Sequence, residues 1–148
     1  MMLEFTTIEQ ELESKGTCYL PTVGESMAPL FHTHTKIAIL KKPTARAKKM
    51  DMILFRRPDG RYVMHRVVKV TPDGYYTRGD NYLKNDAFVP EEQFIALCTG
   101  YLKGKKMVTT KNFWYRLYVF FWGHPNPVRF LLQACRELAR NLKKKKQK

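Results

Sequence analysis

Short apolar runs separated by turn-forming residues fill most of this 148-residue chain. Extended segments are predicted at Cys18–Val23, Lys36–Leu40, Met52–Phe55, Arg61–Val70, Tyr75–Arg78, Phe94–Leu102 and Met107–Thr110. Arg57-Pro58-Asp59-Gly60 and Pro72-Asp73-Gly74 lie between extended runs, and Asp-Gly in that setting signals a hairpin. Residues 6–14 predict a short helix, capped by Thr6 or Thr7 and closed by Gly16. Lys41–Lys49 reads as a basic loop and Gly79–Ala87 as a polar one. After residue 110 the period lengthens. Asn112 can cap a helix running to about Trp122, with Gly123 closing it; Asn126 can cap a second, with Pro127 at its first position. In that second helix Val128, Leu131, Leu132, Cys135, Leu138, Ala139 and Leu142 fall on one face. The pattern predicts a mainly β, α+β protein built on a partly open antiparallel β-barrel or sheet. Its expected parts are an N-terminal helix at 1–16, a β domain at 17–110 and a helical extension at 111–148.

Charge divides the chain in two. Of the 27 basic and 13 acidic residues, residues 1–98 carry 14 and 12, a net +2. Residues 99–148 carry 13 and 1, a net +12, ending in LKKKKQK. A basic segment that also holds Trp114, Tyr115, Tyr118 and Trp122 suits an anionic membrane surface, although an apolar helix can equally pack on its own domain. Nucleic acid is not expected as a partner, because no helix-turn-helix or RNA-binding box accompanies the charge. The longest apolar run, Phe113–Trp122, is ten residues and includes Arg116, about half of what crossing a bilayer requires. Residues 1–15 are acidic and have no apolar core of the secretory kind. The expected location is cytoplasmic, with peripheral contact on the inner face of the membrane. Cys18, Cys98 and Cys135 are too scattered for a disulfide scaffold or a zinc site and are expected to be buried, reduced thiols.

Candidate chemistry lies in three islands. Gly24-Glu25-Ser26-Met27-Ala28-Pro29 puts a hydroxyl on a tight turn, where the backbone N–H groups of Glu25 and Ser26 could serve an oxyanion. Tyr62–Val68 is an apolar run interrupted by His65, whose proton affinity suits a base near neutral pH. Strict alternation puts Tyr62, Met64, Arg66 and Val68 on one face and Val63, His65 and Val67 on the other. Gly79–Asp86 supplies two carboxylates, Asp80 and Asp86; their spacing does not match a calcium loop. Lys69 is a rival base. His32 and His34 lack a third metal ligand, and His124 reads as part of a break between helices. A serine, a histidine and an aspartate together define one known nucleophilic arrangement.

The local sequences around these residues resemble type I signal peptidases, within the superfamily that includes the LexA-type self-cleaving repressors. GESMAP (24–29) is similar to that family's nucleophile box, Gly-x-Ser-Met-x-Pro; Asp51–Phe55 resembles its Gly-Asp-Ile-Val-x-Phe strand. HRVV (65–68) resembles the general-base box in its histidine form, as found in the endoplasmic-reticulum, archaeal and some sporulation-type enzymes. GDNYLKND (79–86) resembles the Gly-Asp-Asn-x-x-x-x-Asp box. The likeness covers roughly residues 17–104. It implies Ser26 as nucleophile, His65 as base, Asp86 as the acid orienting the imidazole and Asp80 in support. Met27 and Pro29 would border the substrate, and neither cofactor nor metal would be used. It also implies a peptide or protein precursor as substrate, bound as an extended strand with small side chains at the first and third positions before the cut. The chain departs from the family in lacking a spanning helix and in carrying His32-Thr33-His34-Thr35 and Lys49-Met50-Asp51 where relatives have tight Pro-Gly-Asp or Arg-Gly-Asp turns. The alternatives are a non-catalytic peptide-binding or regulatory module on the same fold and, resting on charge alone, a basic nucleic-acid-binding protein.

Overall fold

In a computed structural model that describes residues 7–124 and 127–146, eight antiparallel strands form one open sheet. The strands are β1 (Thr17–Pro21), β2 (Ile37–Lys41), β3 (Met52–Arg56), β4 (Tyr62–Thr71), β5 (Gly74–Arg78), β6 (Phe88–Pro90), β7 (Phe94–Lys103) and β8 (Lys106–Thr109). They lie in the order β1-β2-β7-β3-β4-β5-β6, and β8 also pairs with β7. Three helices complete the α+β fold: α1 (Ile8–Lys15), α2 (Phe113–Tyr118) and α3 (Pro127–Lys146).

Local chemistry accounts for most boundaries. Thr7 and Gln10 form a reciprocal capping box at the start of α1, and Gly16 ends it in the left-handed conformation. Thr6 and Asn126, read as caps, lie outside the described residues. Gly60, at φ 86°, closes the β3–β4 hairpin. Gly74 must be glycine because a Cβ there would stand 2.2 Å from the carbonyl oxygen of Val89. That contact brings in β6, a strand the pattern did not reveal: three residues are too few to show alternation, and Pro90 is tolerated at a sheet edge because no donor is needed there. The helix expected over 112–122 divides. Asn112 caps α2 through the N–H groups of Trp114 and Tyr115, and the chain then widens into a π turn over Val119–Gly123.

The core has two faces because β3 is buried on both. Met52 and Leu54 join a cluster with Leu12, Phe31, Leu40, Ala96, Cys98 and Tyr115. Ile53 and Phe55 join the other, with Ala47, Val67, Tyr75 and Val89. Period-two alternation thus places an uninterrupted apolar run between two cores. In the β3–β4 register Met52 faces Arg66 and Ile53 faces His65, so the two adjacent polar residues of β4 go to opposite sides. Cys18 and Cys98 are free and buried, and burial pushes both thiols up to about 11. Cys135 departs from the expectation of burial: it is exposed on α3. The apolar face of α3 points outward because its polar residues make the contacts with the body.

Candidate active site

The turn after β1 is set by short-range polar contacts. Gly24 adopts φ 90°, and its N–H donates to Thr33 Oγ1 at 3.0 Å. The Glu25 carboxylate accepts from Thr33 N at 3.2 Å and bonds His32 Nδ1 at 2.6 Å. His32 therefore steadies the turn. Met27, Leu30 and Phe31 face inward, holding Ser26 at the surface of the core. Among the described residues no hydrogen bond is donated by the N–H of Glu25 or of Ser26; Ser26 lines the cleft and Glu25 does not.

His65 is 4% exposed, with its ring edge-on to Phe55 and Tyr82. Its Nδ1 is 2.5 Å from Asp86 Oδ2, and Thr77 Oγ1 donates to the same oxygen at 2.7 Å. The Asp86 N–H donates to Thr77 O at 2.8 Å, which fixes the end of the loop. Burial would raise the Asp86 pKa. The hydrogen bond and charge of His65, with the Thr77 hydroxyl, outweigh burial and hold it below the usual carboxylate range. An ionised carboxylate only accepts, so Nδ1 is the donor in this pair and Nε2 is the ring nitrogen left on the side away from Asp86. Nε2 faces Gly79: a Cβ there would lie 3.2 Å from Nε2 and 2.5 Å from Ser26 O. The Ser26 carbonyl and the His65 imidazole thus flank the bare backbone of that glycine, while among the described residues no hydrogen bond joins Ser26 Oγ to His65.

The two aspartates separate by face. Asp80 is 2% exposed and forms a bidentate pair with Arg66, Nε to Oδ1 at 2.8 Å and Nη2 to Oδ2 at 2.7 Å. Tyr118 donates to Asp80 Oδ2 at 2.9 Å, while Arg66 also reaches Met50 O and Tyr115 Oη. Desolvation alone would depress the Arg66 pKa; the adjacent Asp80 charge more than offsets it and raises it. Asp80 therefore belongs to the Arg66 side of β4. Of the two, Asp86 alone reaches the imidazole, because alternation along β4 directs the two basic residues oppositely. Lys69 lies beyond a bulge in β4, with its amine over the Tyr76 ring, away from Ser26.

The main chain of the Asp80–Tyr82 loop is gripped from two directions. Asn81 N donates to Ser26 O at 2.9 Å, and Asp80 N reaches Met27 Sδ at 3.4 Å. From the C-terminal side, Trp122 Nε1 donates to Asp80 O at 2.9 Å. Arg129 donates to Asp80 O at 2.8 Å, to Tyr82 O at 2.7 Å and to Trp122 O, and Gln133 Nε2 donates to Asn81 O at 3.0 Å. The sequence reading missed Arg66, Thr77, Tyr118, Trp122, Arg129 and Gln133 as parts of this arrangement. Only Arg66 left a trace, as a charge at an inward position of an apolar strand.

Ser26, Met27, His65, Tyr82 and Asp86 line a single cleft of about 460 Å³. Its apolar wall includes Leu20, Phe31, Ala38, Leu54 and Met64. Pro29, read as a substrate contact, is exposed and absent from that lining, since the turn brings Met27 inward and carries Pro29 to solvent. Among the described residues no group of three His, Cys, Asp or Glu side chains is placed to hold a metal ion. The arrangement has the parts for nucleophilic attack by a hydroxyl: an oriented imidazole, a half-buried carboxylate behind it and unused backbone donors beside the serine. Comparison of the chain with protein-family models, with curated proteins and with solved structures found no match.

Proposed function

We propose that this chain is a serine endopeptidase of the signal peptidase/LexA type, in its histidine-base branch, which removes a leader or signal-like segment from a peptide or protein precursor. The observation that carries the reading is the imidazole of His65, bonded through Nδ1 to Asp86 and presenting Nε2 across Gly79 to the Ser26 turn. In this mechanism Ser26 Oγ attacks the scissile carbonyl and His65 Nε2 takes its proton. Asp86 stabilises the imidazolium that forms, and the N–H groups of Ser26 and Glu25 receive the oxyanion. His65 then protonates the leaving amine, and water, activated by the same nitrogen, releases the acyl group from Ser26.

The edges of the sheet support an extended substrate. β1 ends the strand order, and residues 62–65 of β4 pair with β3 only, since pairing with β5 begins at Arg66. Both flank the cleft, so a peptide entering it would meet unpaired main-chain groups, with Met27, Phe31, Ala38 and Leu54 receiving a short apolar side chain. A proteome-derived peptide library, incubated with wild-type chain and with Ser26→Ala, tests the reading by mass spectrometry, alongside labelling by a fluorophosphonate probe. New termini and probe adducts should form with the wild type and vanish in the variant. Products of equal yield from Ser26→Ala, or neither products nor adducts from the wild type, would sink it.

A further inference from the structure

The helix α3 sits with its amphipathic character reversed. Arg129, Gln133, Arg136 and Arg140 recur at i, i+4, i+7 and i+11; Leu131, Cys135, Leu138 and Leu142 do the same, two residues later. An offset of two residues is about 200° around an α-helix, so the sets lie on nearly opposite faces. The polar set faces the body. Arg129 and Gln133 are buried on the carbonyls of the Asp80–Tyr82 loop, and the Arg136 guanidinium lies 5.9 Å from the Trp122 ring. The leucines are left in water: Leu131, Leu132, Leu138 and Leu142 are between 44% and 65% exposed, and Cys135 beside them is exposed. Phe120 and Phe121, just before the helix, are exposed too. An apolar stripe of this length signals contact with something other than water.

We infer that the outward face of α3 is a docking surface for a bilayer of anionic phospholipid, with the leucines entering the headgroup boundary while Arg129 and Gln133 keep the helix fixed to the β domain. Charge selects this occupant. Residues 99–148 carry 13 basic side chains against Glu137 alone, a net +12 over the segment that bears the stripe. Such a segment is drawn to an anionic surface and repelled by a second copy of itself. No helix among the described residues is long and apolar enough to cross a membrane, so contact along the surface is the geometry the stripe allows. The helix would lie flat and hold the Ser26 cleft at a set height above the lipid.

Cys135 gives a native reporter inside the stripe. The full chain is mixed at low salt with phosphatidylcholine vesicles, with or without phosphatidylglycerol, and assayed by flotation and by maleimide alkylation of Cys135. Binding should rise about tenfold or more with the anionic lipid and fall again in high salt. Alkylation of Cys135 should slow by a similar factor on the anionic vesicles. The triple variant Leu131→Ser, Leu138→Ser, Leu142→Ser should lose about tenfold or more of the binding, with the melting temperature unchanged, because those side chains contact water in the free protein. Equal binding by the triple variant, or unaltered Cys135 reactivity on anionic vesicles, overturns the assignment. So does a concentration-dependent dimer abolished by the triple variant, which would make a second copy the occupant.

Discussion

Gly79→Ala puts the smallest side chain at the closest point of the candidate site. Gly79 has no unusual backbone requirement; what excludes a Cβ is space. The added carbon would stand 2.5 Å from Ser26 O, 2.8 Å from Tyr82 Cδ2 and 3.2 Å from His65 Nε2. Ordinary contact begins near 3.4 Å, so the two backbones must part by 3.4 − 2.5 = 0.9 Å. The Tyr82 ring can swing away, whereas Ser26 O is main chain and is held by Asn81 N at 2.9 Å. Overpacking of this kind costs about 1–3 kcal/mol. At this chain length that lowers the melting temperature by about 3–10 °C. A displacement near 1 Å between nucleophile and base should slow acylation of Ser26 about 10²-fold. Differential scanning fluorimetry reads the first effect and the rate of fluorophosphonate labelling the second. Gly104→Ala is the control: its φ of 57° disfavours a side chain, but nothing lies within 4 Å, so it should cost some stability and no rate. A Gly79→Ala protein with the melting temperature and labelling rate of the wild type would refute the placement of Ser26 against His65.

Asp86→Asn should cut the labelling rate about 10³–10⁴-fold, as loss of the orienting anion does in known serine triads, and an effect below tenfold would remove Asp86 from the proposed role. Because the folded-state pKa of Asp86 is depressed, its carboxylate contributes stability that is complete above the unfolded value, about 3.9, and is lost as pH falls through the lower folded value. The stability gap between wild type and Asp86→Asn should therefore be flat near neutral pH and narrow below about pH 4; a gap that widens on acidification has the wrong sign. Asp80→Asn leaves the Arg66 guanidinium, 1% exposed, without its counter-charge and should cost about 3–5 kcal/mol in urea unfolding, against nearly nothing if the pair is merely superficial. Of the three thiols, Cys135 alone should react quickly with maleimide in the native chain, since burial raises Cys18 and Cys98 to about 11; fast modification of two or more would contradict the packing.

The sequence is most legible where structure is local. Thr7 with Gln10, Gly16, Asp59-Gly60 and Asn112 each make contacts within a few residues, and each marks its boundary. Alternation along β4 likewise put Arg66 and His65 on opposite faces, whereas which aspartate goes to which face could not be read from it. What stayed hidden depends on distance along the chain. Arg129 reads as one more cation on a basic helix until the carbonyls of Asp80 and Tyr82 stand opposite it, and no periodicity encodes a partner 49 residues away. Gly79 looked like loop composition; only the approach of the Ser26 turn and of His65 on β4 gives its missing side chain a meaning. The face that α3 turns inward was equally unreadable, because periodicity identifies a stripe and not the surface that receives it.

The grip of Arg129 and Gln133 on the Asp80–Tyr82 main chain has a bearing on timing. A ribosome makes Ser26, His65 and Asp86 well before it makes the residues that hold this loop. The nascent polypeptide thus owns the proposed reacting groups while these bonds to the Asp80–Tyr82 carbonyls are still unmade. On the proposed reading, a protein that cuts chains would be kept blunt while it is itself only half-built.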